Sequence, residues 1–293
     1  MARYIEDLSS GDKVEGVFII NKMRITPKRS GENYIFIELR DRTGTIPAFV
    51  WDDVEENAEI LKDEFYIRVI GEAETYNGRL QVRVHALSRA DVGAIKMEDL
   101  FQSSPRDQRL LEERLQAHIK SITNPWFKKL VEQVFGNNDF YNQFITSPAA
   151  IKKHHNYLNG LLDHTVEVCD LAVAVSGILP DLDHDLILAG ALIHDIGKIA
   201  EYKIGRGIEF TEKGNLIGHI ILGYEMVVKE IESIDGFPEE IRMKILHMIL
   251  SHHGKEEWGS PKKPAIPEAY LLHTLDNLSS KIHREKGDFF DEN

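Results

Sequence analysis

A histidine and an aspartate, His194 and Asp195, stand side by side in an otherwise apolar stretch of this chain, between Ala191 and Lys198. The surrounding leucine, isoleucine and alanine residues predict a buried helix, where a polar pair is costly unless it is paired or bound to a metal. Imidazole and carboxylate together suit a divalent ion such as Zn²⁺, Mn²⁺, Fe²⁺ or Co²⁺, and a carboxylate can bridge two such ions. A buried hydrogen bond would explain a lone His-Asp pair equally well, so other ligand-type residues must decide.

Such residues occur on both sides of the pair, each in or beside a separate predicted helix. They are His164, His219, the adjacent His252 and His253, and Asp276. This order resembles that of the HD-domain superfamily of metal-dependent phosphohydrolases, with five motifs in family order over residues 160–285. The resemblance implies that one metal ion is held by His164, His194, Asp195 and Asp276. It implies a second ion held by His219, His252 and His253, with Asp195 bridging the two.

Lys198 follows His194 by four residues and Asp195 by three, so on a continuing helix it lies on the same face as these ligands. A lysine at that place can neutralise charge that develops on phosphate oxygens in a transition state. A cation that only stabilises the C-terminus of the helix is the alternative. The predicted catalytic residues are therefore Asp195 and Lys198.

Composition and length describe an ordinary globular protein. The chain has 293 residues, 42% of them hydrophobic, which is enough for two domains with cores of their own. The first residues have no apolar leader pattern, and no stretch approaches the roughly 20 apolar residues that span a bilayer. Cys169 is the single cysteine, which excludes a disulfide framework and a cysteine-based zinc site. We therefore expect an untargeted, soluble protein of the cytoplasm.

The formal net charge of −13 argues against a generally basic nucleic-acid binder. The acidic excess is concentrated in residues 161–293, which carry 13 lysines and arginines against 24 aspartates and glutamates. Part of it surrounds the proposed metal ligands, where divalent cations would offset it. A polyanion would therefore have to be held by local basic clusters and by stacking.

Residues 12–90 carry alternating and β-branched patterns that predict five strands, with a short charged helix between the third and the fourth. A turn at 41–44 separates the second and third strands, and a turn at 76–79 separates the last two. This order matches the OB-fold, a small barrel that commonly binds single-stranded nucleic acid. The stretch from Asp41 to Trp51 resembles nucleic-acid-binding OB domains in particular.

OB-fold proteins stack bases on exposed aromatic rings and follow the backbone with cations. Half of each alternating strand faces inward, so many of the aromatic residues here belong to the core. The residues that we select as substrate contacts on the barrel are Arg24, Tyr34, Phe36 and Trp51.

Beyond the β region the chain becomes helical, and three predicted helices lead into the metal-ligand region. The sequence favours a multidomain β plus α protein, a small OB-fold barrel followed by an all-α HD-domain bundle. The expected limits are 1–92 for the OB-fold, 93–155 for a helical extension packed on the HD domain, and 156–293 for the HD domain itself.

The segment from His154 to Thr165 reads His-His-x-Tyr-x-x-Gly-Leu-Leu-x-His-Thr. An OB-fold followed by an HD domain with this segment resembles the YhaM-type 3′-5′ exoribonucleases, and the resemblance covers nearly the whole chain. It implies that the OB-fold grips single-stranded RNA and that the HD domain removes nucleotides from the 3′ end with Mn²⁺ or a similar ion. His155 could bond a phosphate near the site, although a place at a helix terminus is equally compatible with its position.

The predicted function is a metal-dependent 3′-5′ exoribonuclease that degrades single-stranded RNA, with single-stranded DNA also open, to nucleoside 5′-monophosphates. The attacking water would be activated by two ions, Mn²⁺ being favoured over Co²⁺, Fe²⁺ or Zn²⁺. Two alternatives stay open: an HD-type phosphohydrolase of mononucleotides or cyclic nucleotides, and an OB-fold RNA-binding protein with a structural metal site. We expect no membrane partner, and a homo-oligomer is left open.

Overall fold

A computed structural model describes residues 4–28, 31–151 and 155–282 of the chain. Contacts divide the chain into two compact units. The first comprises the residues up to Gln102 together with Gly205–Gly207, and the second comprises Ser103–Ile204 together with the chain from Ile208 onward. Compactness does not establish independent folding, so the sequence-based limits after residues 92 and 155 stay predictions.

The first unit is built on a closed five-stranded barrel with the order β1-β2-β3-β5-β4. Its elements are β1 (Lys13–Pro27), β2 (Asn33–Arg40), β3 (Thr45–Val50), α1 (Val54–Leu61), β4 (Tyr66–Tyr76) and β5 (Arg79–Arg89). Strand β1 is long enough to pair with β4 through its first half and with β2 through its second, with a register shift between Ile20 and Lys22. Strands β3 and β5 pair in parallel, and the other pairs are antiparallel. The predicted OB-fold, with its helix between the third and fourth strands, is confirmed.

Alternation along β2 sets the two faces of the barrel wall. Ile35, Ile37 and Leu39 are fully buried in the barrel core, while Tyr34 and Phe36, which alternate with them, are half-buried on the outer side. This is the period of two that a strand with one core face requires. The outer aromatic rings are therefore available for binding, whereas the inner residues serve stability.

The second unit is helical. A short helix, α2 (Met97–Leu100), precedes it in the chain. The helices of the second unit are α3 (Gln108–Ser121), α4 (Pro125–Gly136), α5 (Asn138–Thr146), α6 (Gly160–Ser176), α7 (His184–Ile193), α8 (Lys198–Glu201), α9 (Glu212–Leu216), α10 (His219–Glu232), α11 (Glu239–Ser251) and α12 (Pro267–Ile282). A hairpin of β6 (Tyr202–Ile204) and β7 (Ile208–Phe210) connects α8 and α9.

Helix starts follow ordinary capping chemistry. The side chains of Asp107, Asn124, Asn137 and Asp183 each accept a backbone N–H in the first turn of the helix that they precede. This satisfies donors that have no partner within a helix, and Pro125 starts α4 at a position where no N–H is needed.

Helix α7 is the centre of the second unit. Every residue from Leu186 to Ile193 is buried, and the helix contacts α3, α4, α6, α11 and α12. Such a helix must be apolar all round, which explains the uninterrupted hydrophobic run in the sequence. The buried Cys169 on α6 belongs to the same core. Whatever follows directly on the C-terminus of α7 is therefore placed deep within the bundle.

A search of the described helices finds none long and apolar enough to cross a lipid bilayer.

Candidate metal centre

Among the described residues of the second unit, two groups of side chains bring their ligand atoms within 4.8 Å of one another. The first cluster consists of His164, His194, Asp195 and Asp276. The second cluster consists of His219, His252 and His253. These seven residues come from the second turn of α6, the turn directly after α7, the start of α10, the two positions directly after α11, and the middle of α12. The structure thus brings together all seven residues that the sequence analysis selected as metal ligands.

Asp195 lies between the two clusters. Its Oδ2 is 3.4 Å from His164 Nε2 and 3.3 Å from His194 Nε2 in the first cluster. Its Oδ1 is 3.5 Å from both His219 Nε2 and His252 Nε2 in the second. One carboxylate therefore presents one oxygen to each group of ligands.

Three of the five histidines are held by backbone carbonyls. The Nδ1–H groups of His194, His252 and His253 donate to the carbonyl oxygens of Ala191 (2.9 Å), Ile249 (2.7 Å) and Trp258 (2.8 Å). A carbonyl oxygen can only accept, so the proton of each neutral ring is on Nδ1. The lone pair of Nε2 then points into the cluster, which is the tautomer that a metal ligand needs.

The other two histidines use side-chain acceptors. Nδ1 of His164 is 3.1 Å from the Ser279 hydroxyl, which itself donates to Glu167 at 2.7 Å. Nδ1 of His219 is 3.0 Å from the Glu201 carboxylate. Sequence reasoning missed Ser279 and Glu201 because each reaches its histidine across the fold, and it missed Glu167, three residues after His164 on α6, because Glu167 acts only through the Ser279 hydroxyl.

The donor set fits divalent metal ions. The Nε2 atoms of His164 and His194 are 3.3 Å apart, and so are those of His219 and His253. Two nitrogen lone pairs that face each other at this distance repel unless a cation or a proton lies between them. In addition, Asp195 Oδ1 and His252 Nε2 are buried and have no hydrogen-bond partner in the described part of the chain. Buried polar atoms without partners are rare, and a metal ion explains these two.

The electrostatics of the two clusters differ. Burial, followed by the charges of His252 and His219, lowers the pKa of His253 to about 3, and burial also lowers the pKa of His252. His252 and His253 therefore offer neutral nitrogen ligands at pH 7. Burial alone would lower the pKa of His164, but hydrogen bonds to Asp195 and Asp276 outweigh it and raise the pKa to about 9. An ion entering the first cluster must consequently displace a proton.

Both carboxylates of the first cluster are ionised. Burial opposes this, but the charge of Lys198, with the hydrogen bond from His164, holds the pKa of Asp195 well below its usual range. For Asp276 the hydrogen bond from His164 outweighs burial and also lowers the pKa. The cluster therefore keeps its negative charge at any pH near neutrality.

Lys198 contacts the Asp195 carboxylate, but the backbone between the two residues differs from the predicted helix. The helix does not continue through the ligands: α7 ends at Ile193, residues 194–197 form a turn, and α8 begins at Lys198. The turn still brings Lys198 Nζ to 2.6 Å from Asp195 Oδ2. The prediction of a continuing helix is wrong: the backbone after Ile193 turns, and Gly197, at the end of that turn, is where it meets α10.

Two glycines are required for this geometry. A Cβ on Gly197 would lie 2.0 Å from the His219 carbonyl oxygen and 2.5 Å from the amide nitrogen of Gly223, so only glycine lets α10 approach Asp195. Gly254 has φ +75°, and a Cβ there would lie 2.3 Å from the His273 ring. The left-handed residue ends the helical path after α11 and lets two adjacent histidines face one site.

His155 is a buried residue, not a surface one. Its ring is 2% exposed, it bonds the Tyr157 hydroxyl through Nδ1 at 2.7 Å, and its Nε2 is 3.5 Å from Glu167. The ring centre is 5.5 Å from that of His164. This burial argues against the predicted substrate contact and favours support of His164 instead. The neighbouring His154 lies outside the described residues.

The barrel of the first unit carries a separate cluster of aromatic rings, the aromatic face, formed by Tyr34, Phe36, Phe49 and Trp51. Tyr34 stacks on Trp51 with ring centres 4.8 Å apart, and the guanidinium of Arg24 lies 5.2 Å from the centre of the Phe36 ring. The four barrel residues that the sequence analysis selected as substrate contacts, Arg24, Tyr34, Phe36 and Trp51, thus lie together. A groove of about 710 Å³ runs over Tyr34, Phe49 and Trp51 and is lined also by Lys28, Tyr76 and Arg83.

Comparison with known proteins agrees with both parts of the fold. The protein-family model of the HD domain matches residues 161–281, and the protein-family model of the OB-fold nucleic acid binding domain matches residues 19–89. Among solved structures, the second OB-fold domain of replication protein A from Methanococcus maripaludis has 15% identity and a TM-score of 0.26, covering 33% of this chain and 100% of that one. The mitochondrial single-stranded DNA binding protein Rim1 from S. cerevisiae has 10% identity and a TM-score of 0.24, covering 28% and 97%. TM-scores this low carry no argument.

A curated relative is more informative. The 3′-5′ exoribonuclease YhaM of Geobacillus sp. (strain WCH70) is 32% identical over 284 residues, which cover 97% of this chain and 87% of the relative. The similarity therefore runs through both units, as the sequence analysis predicted. The chain belongs to the YhaM family of 3′-5′ exoribonucleases, enzymes of the hydrolase class.

Proposed function

We propose that this chain is a metal-dependent exoribonuclease that removes nucleoside 5′-monophosphates from the 3′ end of single-stranded RNA. The observation that carries the proposal is the position of Asp195, with one oxygen towards each of two ligand clusters. A carboxylate shared in this way is typical of two-metal phosphodiester hydrolysis. The choice of RNA and of the 3′ end follows from the activity that the Geobacillus relative is named for.

In this proposal the first ion is held by His164, His194, Asp195 and Asp276, and the second by His219, His252, His253 and Asp195. The donors are imidazole and carboxylate groups without a thiolate, a set that suits Mn²⁺, Fe²⁺, Co²⁺ or Zn²⁺, and we favour Mn²⁺. Ions at these places would supply a hydroxide at neutral pH and would offset charge on the scissile phosphate.

The protein itself contributes orientation and charge. Lys198 holds Asp195 by an ion pair of 2.6 Å, and its side chain keeps 13% of its surface exposed. The ammonium group therefore stands at the edge of the clusters, where a phosphate oxygen could approach it. From that position Lys198 would stabilise charge that develops on the phosphate as the bond breaks.

The barrel would hold the rest of the strand. Bases stack on exposed rings without regard to sequence, and cations follow the phosphates, so the aromatic face with Arg24 and Lys28 suits a single strand of any sequence. In the described part of the barrel, Lys28 Nζ lies 5.6 Å from the centre of the Trp51 ring, which adds a cation to that surface. The four residues proposed as contacts are Arg24, Tyr34, Phe36 and Trp51.

The test is an incubation of Mn²⁺-loaded protein with single-stranded RNA labelled at its 5′ end, with EDTA as the control. We expect a ladder that shortens from the 3′ end and disappears with EDTA. RNA labelled at the 3′ end should release the labelled mononucleotide in the first turnover, which excludes internal cleavage.

Other results would point to other functions. Intact RNA together with hydrolysis of mononucleotides or cyclic nucleotides would support a small-substrate phosphohydrolase and contradict the proposal. RNA that is bound but never cleaved, with no small substrate hydrolysed, would support a binding protein with a structural metal site.

A further inference from the structure

The histidines of the two clusters differ in what holds their Nδ1–H groups. His194, His252 and His253 donate to backbone carbonyls, which no substitution at the acceptor residue removes. His164 and His219 rely on side chains instead. Each cluster therefore contains one histidine whose orientation depends on a replaceable residue.

Glu201 holds the histidine of the second cluster. Its Oε1 accepts from both the backbone N–H (2.9 Å) and Nδ1–H (3.0 Å) of His219, and the residue is 5% exposed. The backbone of Glu201 is itself fixed, because its carbonyl accepts the N–H of Thr211 at 2.9 Å and lies 2.2 Å from where a Cβ on Gly214 would be. A rigid carboxylate on Nδ1–H orients the ring and makes Nε2 a stronger donor to a metal.

Ser279 and Glu167 hold the histidine of the first cluster. The Ser279 side chain is fully buried, and its hydroxyl donates to Glu167 Oε2 at 2.7 Å. The hydroxyl has one proton, so towards His164 Nδ1, 3.1 Å away, it can only accept. The direction of the hydrogen bonds from His164 to Ser279 and from Ser279 to Glu167 is therefore fixed, so the proton that a metal ion displaces from His164 is the one on Nε2, which faces Asp195 and Asp276.

We propose that Glu201 and the Ser279–Glu167 pair are positioning residues that tune the two metal clusters separately. Glu201 acts on the second cluster through a direct charged hydrogen bond, and Glu167 acts on the first through a hydroxyl. The inference rests on the two-ion assignment made above. Loss of a partner of this kind lowers metal affinity by about 10–100-fold.

The experiment is a titration of metal-free, full-length protein with MnCl₂, in which free Mn²⁺ is measured by electron paramagnetic resonance. Two parent proteins separate the sites: Asp276→Ala disables the first cluster, and His253→Ala disables the second. In the Asp276→Ala parent, Glu201→Gln should raise the Mn²⁺ dissociation constant by about 10–100-fold, and Ser279→Ala should leave it unchanged. In the His253→Ala parent the two effects should be exchanged.

Matched controls come from neighbouring residues. Glu209→Gln alters a carboxylate of the hairpin that pairs only loosely with Lys203, at 3.9 Å, and Ser280→Ala alters a hydroxyl that bonds the Asn277 carbonyl. Neither should change Mn²⁺ binding. Ser279→Thr keeps the hydroxyl and should bind Mn²⁺ like its parent, which a purely steric role of Ser279 would not allow.

The possible outcomes distinguish a failure of the two-ion assignment from a failure of the separate tuning. A wild-type protein that binds a single Mn²⁺ would refute the two-ion assignment, and with it the inference. Two ions in the wild type, with Glu201→Gln and Ser279→Ala either silent or equally harmful in both parents, would refute the separate tuning alone.

Discussion

The metal centre and the aromatic face differ in opposite ways from the usual relation between the polarity of a side chain and its burial. The ligands of the first cluster are at most 14% exposed at their side chains, and they are polar groups that a bundle interior tolerates only when they are paired. The rings of the aromatic face are apolar, yet Tyr34, Phe36, Phe49 and Trp51 all keep part of their surface in solvent. In the metal centre polar side chains are buried, and on the aromatic face apolar rings are exposed to solvent. Both arrangements depart from the usual distribution of residue types, and in both regions this departure identifies a binding site.

The two regions should differ in how they respond to substitution. A buried, interlocked set of charges acts as a unit, so loss of one member should have a large effect on chemistry. A row of exposed rings and cations acts as a sum of small contacts, so each loss should have a limited effect on binding.

Asp195→Ala should abolish hydrolysis, with a loss of at least about 10³-fold in kcat, because it removes the oxygen donors proposed for both ions. RNA binding should stay largely intact, since the aromatic face belongs to the other unit. Turnover is measured with labelled RNA and binding with the same RNA in EDTA. Normal turnover by a correctly folded Asp195→Ala protein would refute the two-metal assignment; Asp195→Asn, which keeps the shape, guards against misfolding.

Lys198→Met should lower kcat by about 10²-fold, the effect of removing one group that stabilises transition-state charge. The affinity for RNA should not change, because Lys198 stands at the clusters and not on the barrel. Single-turnover kinetics with saturating enzyme measure the effect, and Lys203→Met on the exposed side of the hairpin serves as the control. A kcat equal to that of the control would limit Lys198 to holding Asp195.

Trp51→Ala should raise the dissociation constant for single-stranded RNA about tenfold, since stacking of a base contributes about 1–3 kcal/mol. Its ring stacks on Tyr34 and lies over the groove, so its loss also loosens a neighbour. Hydrolysis of a dinucleotide should be unaffected. Tyr270→Ala, which removes a ring of α12 that is 66% exposed, is the matched control. Equal loss on dinucleotides and long RNA would favour the small-substrate function.

Arg24→Ala should have the smallest effect, a flatter dependence of RNA affinity on salt. Each phosphate contact with a single strand contributes about −0.7 to the slope of log K against log salt concentration, so one lost contact should change the slope by that amount. Fluorescence anisotropy over a salt series measures it, with the exposed Arg109→Ala on α3 as the control. An unchanged slope would remove Arg24 from the set of phosphate contacts.

The sequence was sufficient for the features that leave a local pattern. Alternation predicted the five strands, and His164, His194, His219 and Asp276 were found because each stands as a polar residue in or beside an amphipathic or apolar helix. The fold class and the family followed from the order of these patterns.

Features that depend on contacts across the fold were not predicted. Glu201 precedes His219 by 18 residues and Ser279 follows His164 by 115, so no helical or strand period connects them. The turn after Ile193 ends where α10 approaches Gly197, and the buried His155 contacts Tyr157 and Glu167. Such details arise from tertiary packing, which a local pattern does not contain.

The central claim is that Asp195 is shared by two metal ions. Anomalous diffraction at the manganese edge, from crystals grown with Mn²⁺, tests it directly. We expect two anomalous peaks, one against the first cluster and one against the second, with a carboxylate oxygen of Asp195 beside each. A single peak, or a pair of peaks of which one does not contact Asp195, would contradict it.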